Sequence, residues 1–133
     1  MTSDPDLLNG FRSGTLRAFP HEDHLRVVYL LVGELGPDEA LVEVSAGIRA
    51  MAAAAGLSEK FHLTRTIAWT RLVAAAVARD AESGATATDS AGFLARHPEL
   101  LRRDLLEEYY DPGRLTSPEA RAGWVEPERP ITR

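Results

Sequence analysis

Residues 19–58 read FPHEDHLRVVYLLVGELGPDEALVEVSAGIRAMAAAAGLS. Apolar positions recur at steps of three and four through this stretch, the period of a helix with one buried face. Gly36–Pro37 cuts the pattern once and Gly56 cuts it again. Pro20 suits a first helical position, and Glu22 and Asp23 suit the positive end of a helix dipole. A first helix is therefore expected from about Pro20 to Leu35. A second starts at Pro37, with Asp38 and Glu39 in its opening turn and Leu41, Val44, Ile48 and Met51 as its apolar stripe. Gly56 ends it. Ser58 reads as the N-cap of a third helix running to about Arg79, whose inner face carries Thr66, Trp69, Val73 and Ala76.

Working outward, the flanks are less regular. Residues 1–18 contain Pro5, Gly10 and Gly14 and read as a loose arm with one helical turn at Asp6–Phe11. Beyond the loop DAESGATAT, Asp89 or Thr88 caps a short helix through Phe93, Leu94 and Arg96. Pro98 opens a further helix carrying Leu101, Leu105 and Leu106 towards Tyr109–Tyr110. One short helix is expected at Pro118–Gly123, then an extended Pro-rich tail anchored by Trp124 and Val125. No stretch alternates as a strand does. The fold class expected is all-α: one compact helical bundle over residues 19–127, with an N-terminal arm over 1–18 and a tail over 128–133.

Composition narrows the function classes. The chain has 133 residues, enough for one modest core. It lacks cysteine, which removes disulfides and thiolate metal sites. The net charge is −5 with both signs interspersed, which argues against a nucleic-acid binder. The opening MTSDPDLLNG lacks the character of a secretory signal, and no apolar run reaches membrane-spanning length. Cytoplasmic residence is the expectation. The abundance of Ala, Arg and Glu fits a GC-rich bacterial genome.

The chemistry-bearing residues are histidines. His21 and His24 share the helix face of Val28, Leu31 and Leu35, and stepping back from Trp69 and Thr66 on the third helix leads to His62. Very short connections make consecutive helices antiparallel, so the first and third run parallel and start at one end. His21, His24 and His62 are expected to meet there, beside the Ala-rich end of the second helix. Two helix N-termini favour neutral imidazole and also favour an anion. Arg65 and Thr66 are candidate substrate-binding groups, and Trp69 a substrate platform or core residue. Thr64 lies one position off that face. Glu43 and the pair Glu107–Glu108 read as solvated, and His97, before Pro98, as structural.

The segments FPHEDHLRVVYLL and KFHLTRTIAW resemble those of a family of small, uncharacterised all-helical bacterial proteins. Its members pair Phe-x-His-x-x-His-Leu with Tyr-His-x-Thr-x-Thr, then carry a FLARHPELL-like stretch and a Trp/Phe-Val-x-Pro tail. Phe19, His21, His24, Leu25, His62, Thr64, Thr66 and Trp69 occupy matching positions, while Phe61 replaces the usual Tyr. The resemblance covers most of residues 19–127. It implies one structural unit and brings no assigned reaction.

Three functions fit these residues. The first is a small enzyme, a lyase, isomerase or cyclase, using the histidines for acid–base chemistry on an anionic small molecule, in a setting such as specialised metabolism. The second is a divalent metal, Zn, Fe or Mn, held by His21, His24 and His62; no inward carboxylate completes such a set, so no cofactor is favoured. The third is a non-catalytic accessory protein, a homodimer or the companion of a partner enzyme, with no nucleic acid or membrane as partner.

Overall fold

The computed structural model describes residues 2–85 and 87–131. The fold is all-α, and no strand occurs among the described residues. Its helices are α1 (Asp4–Ser13), α2 (His21–Leu35), α3 (Pro37–Ala54), α4 (Leu63–Ser83), α5 (Ser90–Arg96), α6 (Pro112–Leu115) and α7 (Pro118–Ala122). Short 3₁₀ turns lie at Ser58–Lys60, Pro98–Leu101 and Leu105–Glu108.

The centre is the α2–α3–α4 triplet, each helix packed on the other two. A single residue, Gly36, joins α2 to α3 with φ 82°, a backbone region that a side chain disfavours. The start of α2 and the end of α3 share one cleft, whereas Leu35 and Glu39 share another at the opposite end, so the two helices run antiparallel. The start of α4 shares the first cleft too, which makes α4 parallel to α2. Leu25, Val28 and Leu31 from α2, Ala40 and Val44 from α3, and Ala68, Trp69, Val73 and Ala76 from α4 are buried between them. No described helix is long and apolar enough to cross a membrane.

Four departures from the sequence reading have physical causes. The N-terminal arm is a ten-residue helix, capped by Ser3 and closed by Gly14, with Leu7 (0% exposed) and Phe11 (3%) in the core. Asp4 at its start binds Arg26 and Ser90, which ties α1 to α2 and α5 through a buried guanidinium. Those long-range partners are invisible to local periodicity. The third helix starts at Leu63 and not at Ser58. Ser58–Lys60 forms a 3₁₀ turn, Phe61 is extended, and the side chain of His62 accepts from the backbone of Arg65 as the true N-cap. The helix expected from Pro98 is two separate 3₁₀ turns that bury Leu100, Leu105 and Leu106. Finally, the tail is tied down over Glu128 and Arg129. Glu128 meets Arg114, while Arg129 donates from its backbone to Tyr109 and from its side chain to Glu108. Thr132 and Arg133 lie outside the described residues.

The Trp124–Val125 anchor is explicit. Thr64 Oγ1 donates to Gly123 O at 2.6 Å and accepts from Val125 N at 3.2 Å, and Tyr110 donates to Val125 O. The Arg71 guanidinium lies 4.3 Å from the centre of the Trp124 ring. Thr64 is thus a fastening for the C-terminal segment. Asp89 caps α5 through Gly92 N, and His97 binds the buried Asp80 carboxylate at 2.9 Å. Arg96, donating to the same carboxylate, holds Asp80 below its usual pKa. Glu43 pairs with Arg12.

Candidate functional site

The common end of α2, α3 and α4 holds an open cleft of about 520 Å³. Phe19 and His24 form one wall. Ile48, Met51, Ala52 and Ala55 from the end of α3 form a second. The turn at Leu57–Phe61 and the first residues of α4, from His62 to Trp69, complete it. The wall is mainly apolar, and small alanines at the end of α3 leave its volume unfilled. Clefts of this size and lining are the usual form of small-molecule sites.

Of the residues singled out in the sequence, His24, His62, Arg65, Thr66 and Trp69 line this cleft, and His21 does not. His21 packs its ring edge-on against Trp69 at 4.4 Å, and its Nε2 donates to Leu100 O at 2.9 Å. It braces Trp69 and fastens the Pro98–Leu101 turn to α2. Burial pushes its pKa below the ordinary value, and the Arg103 charge acts in the same direction.

His62 is spent on structure at both nitrogens. Nδ1 accepts from Arg65 N at 3.1 Å, so the ring proton sits on Nε2, which donates to Leu115 O at 2.8 Å. One ring therefore caps α4 and holds α6. Burial lowers its pKa and keeps this neutral tautomer at ordinary pH. Neither nitrogen is left for a substrate proton or a metal. This corrects the expectation that three imidazoles share one site. Among the described residues no group of three His, Asp or Glu side chains is gathered in a metal-holding arrangement. The donor set foreseen for Zn, Fe or Mn does not fit, because His62 and His21 face backbone carbonyls.

His24 is different. Its Nε2 is shut off from water and has no hydrogen-bond partner. The ring leans on Phe19, with centroids 5.6 Å apart. Burial, reinforced by the neighbouring His21, pushes its pKa down to about 4. A buried polar atom left without a partner costs about 1–3 kcal/mol, and native proteins carry few of them. Among the described residues this is the one buried side-chain nitrogen or oxygen in that condition.

The charged groups of the cleft are Lys60 and Arg65. No Asp or Glu lines it, although the chain has 20 acidic and 15 basic residues. Thr66 donates its hydroxyl proton to His62 O, which leaves its oxygen to accept from a ligand. Lys60, Phe19, Phe61 and Ile48 were not foreseen as lining, whereas the Ala-rich end of α3 was expected beside the site. Phe19 and Phe61 sit beside the histidines in sequence, but only the 3₁₀ turn and the extended Phe61 bring the second of them into the wall. Arg49 stacks over Phe61 at 4.6 Å and fixes that ring from outside.

Comparison with known protein families, with curated proteins and with solved structures finds no match to this chain.

Proposed function

We propose that this protein is a small-molecule enzyme whose cleft carries out proton transfer with His24 as its acid–base group. The observation that carries this reading is His24, which lines the apolar cleft and whose Nε2, just beneath its surface, has no hydrogen-bond partner. A neutral imidazole in such a place has an unfilled hydrogen-bonding position, which a bound molecule fills when the ring turns Nε2 towards the cleft. A base with a pKa near 4 is a poor proton acceptor at neutral pH. A negative charge forming on a bound substrate raises that pKa, so the group gains basicity as the reaction needs it. The single free imidazole favours chemistry that one group can run, with the same nitrogen removing a proton and returning it, as in an isomerisation or an elimination. His21 and His62 act as positioning residues: His21 holds Trp69, and His62 holds the start of α4 that carries Arg65 and Thr66.

The test is solvent deuterium exchange. Candidate carbon acids incubated in D₂O with the protein incorporate deuterium, followed by mass spectrometry. The label is lost in His24→Gln and kept in His21→Gln, with both variants folded by circular dichroism. Exchange that is unchanged in His24→Gln, or an absence of any compound that shifts the His24 ring resonances, refutes this function.

A further inference from the structure

The cleft's charges and its one free imidazole nitrogen differ in their access to water. Lys60 is exposed and both Arg65 and His24 are half-buried, with the Nε2 of His24 itself shut off from water. The charge of Arg65 acts on His62, on the α4 side, and the charge that acts on His24 is that of His21. Among the described residues neither Lys60 nor Arg65 makes an ion pair, a condition shared with Arg17, Arg49, Arg71, Arg79, Arg103 and Arg121, but only these two line the cleft. The apolar wall of the same cleft includes Ile48, Met51, Phe61 and Trp69.

From this arrangement we infer that the cleft takes an amphiphilic monocarboxylate, held head-outward by Arg65 and Lys60, with its apolar body against Met51 and Trp69 and its reacting end at His24. The inference rests on the function proposed above and adds the class and orientation of the molecule. A carboxylate suits the planar fork of Arg65. One negative charge is matched by one half-buried guanidinium, with exposed Lys60 assisting. A dianionic phosphate demands more donors than the lining supplies, since Thr66 already donates elsewhere. The reverse orientation places a carboxylate in the apolar depth beside a neutral imidazole, which desolvates it without a cation to compensate.

Calorimetry with octanoate, octanamide and octyl phosphate tests the assignment, with His24 ring resonances read by NMR in the same samples. Octanoate is expected to bind at least tenfold more tightly than octanamide and to shift the His24 resonances. That preference falls to less than threefold in Arg65→Gln, and Lys60→Gln, an exposed site that leaves the fold untouched, reduces it in the same sense. Octanamide binding as tightly as octanoate, with the His24 resonances shifted, overturns the carboxylate assignment and leaves the His24 site standing. Octyl phosphate binding more tightly than octanoate overturns the monoanion assignment in the same way. If none of the three shifts the His24 resonances, the cleft is not the site, and both readings fall.

Discussion

Replacing His24 by Leu separates what this residue costs the fold from what it does. The free imidazole titrates near 6.5, and in the folded chain near 4. The folded pKa is the lower one, so the unfolded chain takes up the proton first as pH falls. Stability is full above pH 6.5 and is lost between 6.5 and 4. The difference of about 2.5 units, at about 1.4 kcal/mol per unit, gives a loss of ~3 kcal/mol from this one ring. His21 and His62 are shifted in the same direction and add to the acid sensitivity of the wild type. The His24→Leu variant keeps those contributions and lacks its own, so the two stability curves converge or diverge by His24 alone. At pH 7 the variant also loses an unpartnered buried nitrogen and gains a side chain suited to Phe19, Ile48 and Met51. It is expected to be more stable by about 1 kcal/mol, near 3–5 °C in melting temperature for a chain of this size. Urea unfolding at half-unit steps from pH 7 to 4 measures both effects. The gap between variant and wild type should widen from about 1 to about 4 kcal/mol. Parallel curves refute the burial of a neutral His24, and a variant less stable at pH 7 refutes the claim that Nε2 is unsatisfied.

Two further outcomes follow from the packing. His62→Ala removes the α4 cap and leaves Leu115 O without its donor, and is expected to cost about 2–3 kcal/mol by urea denaturation. His62→Asn, which can still cap, should recover about 1 kcal/mol of that. Gly47→Ala improves helix propensity by about 1 kcal/mol, yet its Cβ would run into the ring of Phe11. A net loss of about 1–2 kcal/mol is expected from overpacking, and a net gain in melting temperature means that Phe11 does not sit against Gly47.

The fold was legible where one face of a helix meets one core. The Val28–Leu31 face of α2 and the Trp69–Val73–Ala76 face of α4 are periodic in sequence and buried in the structure. Gly36 and Gly56 punctuate them where the chain turns. What periodicity missed was held by contacts far apart in the chain. Leu7 and Phe11 form half an apolar face, too short to stand out. What makes α1 a helix in place is Phe11 seated over Gly47 and Asp4 bonded to Arg26 and Ser90, 22 and 86 residues away. The break before α4 was misplaced for the opposite reason. Ser58 is the better cap by propensity, but His62 gains a second bond from the same ring to Leu115, which propensity cannot register.

The same distinction runs through the histidines. Helical spacing groups His24 and His62 at one end of the bundle, and both line the cleft there. It says nothing of what meets that side chain. Leu100 O reaches His21 from a 3₁₀ turn 79 residues away, and Leu115 O reaches His62 from α6, 53 residues away. Those carbonyls decide that two of the three rings are braces. A hydrogen-bonded structural role for His24 Nε2 would require a comparable partner, and among the described residues it has none. An apolar residue at position 24 would fill the wall at lower cost to the fold. That cost is what the function proposed above accounts for, with a molecule in the cleft as the partner of the ring.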